Sequence, residues 1–138
     1  MQGTKITVTA TVAAAPAKVW EHWTHPQHIT QWNFASPDWH CPAAENEVRP
    51  GGKLKWTMAA RDGSMSFDFE GEYQEIIPIK KITYVIADGR QVTVEFAAVG
   101  AQTEVTETFE AEGTNPEEMQ RAGWQAILDN FKKYVESR

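Results

Sequence analysis

The chain has 138 residues, 41% of them hydrophobic, with six Trp, six Phe and a formal net charge of −6. A chain of that size and composition is expected to form a single domain over residues 1–138, with a core that needs no staples, and is not expected to be disordered. The acidic balance, with no basic run and no Lys/Arg stripe, argues against nucleic acid as a partner.

No apolar stretch approaches the ~18 residues of a membrane span. Met1 to Lys5 lacks the charged and apolar regions of a signal peptide. The single cysteine, Cys41, excludes an internal disulfide and fits a reducing compartment. The expected location is cytoplasmic.

Lys5 to Val12 alternates strictly, with Ile6, Val8, Ala10 and Val12 on one face and threonines on the other, the pattern of a half-buried strand. Pro16 opens a short helix carrying Val19, Trp20 and Trp23, and Pro26 stops it after His25. A second helical piece runs from Gln27 to Trp32. From Asn33 to Pro50 the periodicity fails, and Phe34, Pro37, Trp39 and Pro42 read as a long aromatic loop or irregular strand.

After Pro50-Gly51-Gly52, alternation returns. Lys53 to Ala60 sets Leu54, Trp56 and Met58 on one face, and Asp62-Gly63 is a hairpin turn signal. Ser66 to Ile77 places Phe67, Phe69, Gly71 and Tyr73 opposite Asp68, Glu70 and Glu72. Lys81 to Ala87 offers Ile82, Tyr84 and Ile86 inward, and Gln91 to Val99 offers Val92, Val94 and Phe96. Thr103 to Glu112 places Val105, Glu107 and Phe109 on the inner face.

Asn115 to Glu136 reads as one amphipathic helix, with Asn115 as its cap, Pro116 at its first position, and Glu117 and Glu118 facing the positive end of the dipole. At 3.6 residues per turn, Trp124, Ile127, Leu128, Phe131, Tyr134 and Val135 share an arc of about 120°. Hairpin-linked strands imply an antiparallel sheet with one solvated face, and the long helix must cover the other, giving an α+β fold.

This order of elements, with Arg49-Pro50-Gly51-Gly52-Lys53, Asp62-Gly63, Gly71-Glu72-Tyr73-Gln74-Glu75-Ile76 and the terminal Gly123-Trp124, resembles the START-like (SRPBCC, helix-grip) superfamily. Within it the chain is similar to the branch named after the activator of the Hsp90 ATPase. The resemblance implies a curved antiparallel sheet of about six to seven strands wrapped around the last helix, with a cavity between them. It also implies an apolar ligand of lipid-like, polyketide-like or aromatic character, and some members catalyse cyclisation or dehydration. Two stretches depart from the common pattern: the loop from Asn33 to Pro42, and Glu107, which stands where an apolar residue is usual.

Glu107 is the sharpest single feature. A carboxylate between Val105 and Phe109 on the inner face loses hydration, so it must pair, meet water or hold a proton. It is a candidate polar anchor or general acid/base. It can equally be turned outward by a bulge, or bond to Tyr84 or Trp124 within the core. The aromatic set of Trp32, Phe34, Trp39, Trp56, Phe67, Phe69, Tyr84, Phe96, Trp124 and Phe131, with Met58 and Ile127, either lines a pocket or packs solid.

His22, His25, His28 and His40 with Cys41 carry ligand types that suit zinc, but Pro26 breaks the helix that their spacing would need, so no metal is expected and the histidines read as surface or capping groups. Cys41 beside His40 reads as a packing thiol, because sequence neighbours rarely form a nucleophile and base. No motif asks for a cofactor. Three functions stay open. The first is binding of a small apolar ligand. The second is a cyclase- or hydrolase-type activity with Glu107 as acid/base. The third is a protein-interaction module associated with a chaperone and the stress response. A homodimer is compatible with each.

Overall fold

The computed structural model describes residues 4–138. The elements are β1 (Lys5–Val12), α1 (Pro16–Thr24), α2 (Pro26–Trp32), β2 (Trp39–Asn46), β3 (Lys53–Ala60), β4 (Ser66–Ile77), β5 (Lys81–Ile86), β6 (Gln91–Val99), β7 (Gln102–Glu110) and α3 (Glu117–Glu136). The strands form one curved sheet in the order β1-β7-β6-β5-β4-β3-β2, with every pair antiparallel. The first two strands thus sit on opposite edges, and the two short helices carry the chain from one edge to the other. Among the described residues no helix is long and apolar enough to cross a membrane.

The alternating strands bury the side chains that their patterns assign inward. Ile6, Val8 and Val12 of β1, Val92 and Val94 of β6, and Val105 and Phe109 of β7 are all buried. They meet Leu128, Phe131 and Val135 of α3, which lies across the concave face. This is the α+β helix-grip arrangement. Deleting a buried aliphatic side chain here to alanine costs about 2–5 kcal/mol, so the apolar stripe of α3 decides where the helix lies.

Three local expectations are settled or corrected. Of the two readings of 33–50, the long loop gives way to the irregular strand over Trp39–Asn46, which forms β2 and pairs with β3. Its register shifts between His40 and Ala43. That bulge accommodates Cys41 and Pro42, and an edge strand tolerates a proline whose missing N–H faces no neighbour. The second short helix begins at Pro26, not Gln27: the residue that ends α1 also opens α2, where a proline costs nothing.

The long helix begins at Glu117, and Pro116 holds the N-cap position with ψ 143° and no side-chain cap. Asn115 does not cap it. Its carbonyl instead accepts a hydrogen bond from Gln120 Nε2 at 2.8 Å. Gln120 Nε2 also donates to the Glu112 carbonyl at 3.1 Å, and Gln120 Oε1 accepts from the Glu112 N–H at 2.9 Å. One buried glutamine thereby ties the β7–α3 connection to the first turns of the helix.

Candidate functional site

Between the concave face and the N-terminal half of α3 lies a cavity of about 330 Å³. Nine of the candidate residues line it: Trp32, Trp56, Met58, Phe67, Phe69, Tyr84, Glu107, Trp124 and Ile127. Its walls are built from flat stacks. Trp56 lies on Phe69 at 5.5 Å with 7° between planes, and Trp124 lies on Phe109 at 4.0 Å with 11°. Tyr84 meets both Trp56 and Phe69 edge-on, at 6.1 and 6.5 Å. Such pairs contribute about 0.5–1.5 kcal/mol each beyond their area, so the walls are stiff.

Four candidates lie elsewhere. Phe131 packs against Trp23 and Trp32 at 4.8 Å each, and Phe96 packs edge-on to Trp20 and Trp23 at 5.5 and 5.8 Å. Both belong to the solid core beneath the short helices. Phe34 lies under the Arg61 guanidinium at 6.0 Å, and Trp39 stands 6.0 Å from Phe67 near the sheet edge. Phe67 itself is 49% exposed. It belongs to the rim of the cavity, not its interior.

Six lining residues escape the alternation of the strands: Trp23, Asn33, Arg90, Glu112, Asn115 and Gln120. They come from helix ends and turns, where no strand period points inward. Only Trp23 carried a signal, as an apolar position on the first helix. Most of this polar margin is already bonded. Arg90 Nε pairs with Asp88 at 2.8 Å and its Nη1 donates to the Glu110 carbonyl at 3.0 Å, while Gln120 is engaged as described.

Glu107 faces inward, as the alternation requires, with no bulge to turn it. It sits mid-strand between Val8 of β1 and Val94 of β6 and is 5% exposed. Among the described residues no group hydrogen-bonds to its carboxyl, and neither Tyr84 nor Trp124 does so. Burial alone pushes its pKa up to about 8, so at neutral pH the carboxyl mostly holds its proton and can donate. Burial, with Glu107 as the next cause, also holds the Tyr84 hydroxyl well above its ordinary pKa.

The histidines are not all surface groups. His22 is buried, its Nδ1 donates to the Lys18 carbonyl at 2.8 Å, and its ring stacks on that of His28 at 4.1 Å across the Pro26 break. Pro26 therefore joins the two rings instead of separating them. Ligand atoms of Glu21, His22 and His28 come within 4.8 Å of one another. The rings lie within 29° of parallel, however, so an ion in the plane of one stands off the plane of the other. Burial first, then His22, lowers the His28 pKa. Cys41 is a buried thiol that donates to the Ala43 carbonyl at 3.4 Å, and burial pushes its pKa up to about 11, which keeps it protonated and unreactive.

A larger hollow of about 790 Å³ lies on the outer face of the sheet around Gly71. It is an open groove lined by Glu45, Glu47, Lys53, Lys55, Glu70 and Glu72, with Lys53 paired to Glu72 at 2.6 Å. Solvated charge explains it, and the aromatic cavity, with its mostly apolar lining, is the stronger candidate.

Sheet, gripping helix and cavity together define a START-like helix-grip domain. The chain belongs to the family described as "Activator of Hsp90 ATPase homolog 1-like protein", whose model matches residues 13–136. It is similar to the solution structure of the AHSA1-like protein from Aeromonas hydrophila, at 42% identity over 97% of this chain and 93% of that one, with a TM-score of 0.92. A Cytophaga hutchinsonii protein solved in solution is 52% identical over 96% of this chain and 92% of that one, with a TM-score of 0.84. A Chromobacterium violaceum crystal structure, at 23% identity, covers 96% of this chain and 98% of that one with a TM-score of 0.86 and shares the fold. No curated protein matches the sequence.

Proposed function

We propose that the protein binds a small apolar or aromatic molecule in the cavity between the sheet and α3, with Glu107 as its polar contact. The observation that carries this reading is an inward-facing carboxyl, without a hydrogen-bond partner among the described residues, on the wall of an aromatic cavity. The Glu107 oxygens are not sealed inside the wall, so a ligand in the cavity can reach and bond them. The volume lies at the small end of ligand sites, which run from about 300 to 1,000 Å³. Phe67, exposed beside Trp39, supports a rim through which such a molecule enters.

The test is uptake of a neutral apolar fluorophore such as N-phenyl-1-naphthylamine. Native protein should take it up at one per chain, while Phe69→Trp and Ile127→Trp, which fill the cavity, should block uptake without unfolding the protein. Folded native protein that takes up none rejects the reading.

A cyclase- or hydrolase-type activity is favoured by one observation, the pKa of Glu107 near neutrality, which suits a general acid or base. Under that reading Glu107→Gln abolishes turnover and leaves binding intact.

A further inference from the structure

Two buried polar atoms among the described residues have no hydrogen-bond partner, the indole Nε1 of Trp56 and the amide Nδ2 of Asn33. Both residues line the same cavity. Trp56 is 6% exposed and Asn33 5%, so neither side chain lies at the outer surface. Native interiors leave few such groups unpaired, and each calls for an explanation. Two in the wall of one cavity call for a common one.

Resting on the ligand-binding reading above, we propose that the occupant carries a carbonyl-type oxygen, a ketone, quinone or aryl ester, which accepts hydrogen bonds donated by the Trp56 N–H and the Asn33 amide N–H. The indole fixes the direction of the contact, because it only donates. Asn33 is the C-cap of α2, and among the described residues the only group its amide meets is the Cys41 thiol, a weak acceptor that a carbonyl oxygen outcompetes. The polar groups at the other margin do not compete, since Arg90 and Gln120 are bonded within the protein.

Both nitrogens are sealed within the wall, so contact requires a side chain to shift as the ligand enters. Met58 is on the same face of β3 as Trp56, two residues on, and its unbranched thioether is the element best able to give way. An anionic ligand is disfavoured, because the free groups include a carboxyl and the Arg90 charge is already neutralised by Asp88.

A matched pair of probes tests this. Benzophenone and diphenylmethane have nearly the same shape and differ by one carbonyl oxygen. In a cavity without free donors the hydrocarbon binds more tightly, because dehydrating the carbonyl goes uncompensated. With free donors the order reverses. Displacement of N-phenyl-1-naphthylamine from the full-length native protein should show benzophenone binding at least about tenfold more tightly. Trp56→Phe, which keeps the stack on Phe69, should cut that preference, and the Trp56→Phe, Asn33→Leu pair should invert it.

A native-protein measurement guards against a variant that fails to fold. The Trp56 indole N–H resonance should move downfield on adding benzophenone and stay in place with diphenylmethane. Equal affinities, a preference for the hydrocarbon, or a ketone preference that survives in the double variant overturns the inference while leaving the cavity reading intact. If the native protein takes up no N-phenyl-1-naphthylamine, the cavity reading falls and this inference with it; if the probe binds and neither compound displaces it, the inference alone is overturned.

Discussion

Replacing Glu107 by glutamine keeps the shape of the side chain and removes its titration. In the native chain the carboxyl has a pKa near 4.5 when unfolded and about 8 when folded. The folded pKa is the higher, so between those values the folded state holds a proton that the unfolded chain has released. Stability is therefore fully present below 4.5 and is lost as pH rises to about 8. Each pH unit within that window removes about 1.4 kcal/mol. Between pH 5 and 8 the loss is on the order of 4 kcal/mol, a large share of the ~5–15 kcal/mol of an ordinary domain. Glutamine carries no such slope. Urea unfolding followed by tryptophan fluorescence from about pH 5 to about pH 9 gives both curves. The two proteins should be close at the acid end, and the variant should become steadily more stable toward the alkaline end. His28 and the exposed carboxylates titrate in both proteins, so the difference curve isolates Glu107. A difference that stays flat with pH refutes the burial of an unpaired carboxyl.

Three further substitutions test the frame around the cavity by urea midpoint. Gly71→Ala puts a Cβ 2.8 Å from the Val85 carbonyl oxygen, so β4 and β5 must part, with a loss of about 1–3 kcal/mol. Gly123→Ala meets nothing within 4 Å and removes a flexible residue from the middle of α3, so it should gain about 0.5–1 kcal/mol. Tyr73→Phe removes the hydroxyl that donates to Asn46 Oδ1, leaving that oxygen unpaired while Asn46 Nδ2 still holds the Thr24 carbonyl at 2.7 Å, and should cost about 1–3 kcal/mol.

Strand alternation carried most of the fold, and it carried Glu107. Period two assigns a face without reference to tertiary structure, which is why β1, β6 and β7 could be read directly and why the carboxyl stood out among apolar neighbours. The same period says nothing of depth along the sheet. Phe96 shares its face with Val92 and Val94, yet it packs under the short helices and not into the cavity. β2 was hidden because Pro42 and the bulge break its alternation, and only pairing with β3 makes it a strand. Asn33, Arg90 and Gln120 reach the cavity from a helix end, a turn and the first turn of α3, positions set by the closing of the fold. The His22–His28 stack shows the same limit, since a proline that ends one helix in sequence folds the next helix back on it.

The cavity follows from how unevenly the sheet grips its helix. Toward its C-terminus α3 buries Leu128, Phe131 and Val135 completely, with Phe131 wedged between Trp23 and Trp32. Asn130 adds a hydrogen bond to the Trp32 carbonyl at 2.8 Å, fixing the helix to the end of α2. Toward its N-terminus the helix is held by the Gln120 hydrogen bonds and by the stack of Trp124 on Phe109, and Ile127 stays only half-buried. Closing the remaining gap would require the Trp124–Phe109 and Trp56–Phe69 stacks to slide and the Glu107 carboxyl to meet apolar side chains. Each change gives up an aromatic contact or deepens the desolvation of a polar group. The space is therefore held open by the same residues that line it, and a ligand of matching shape gains their contacts without first having to separate them.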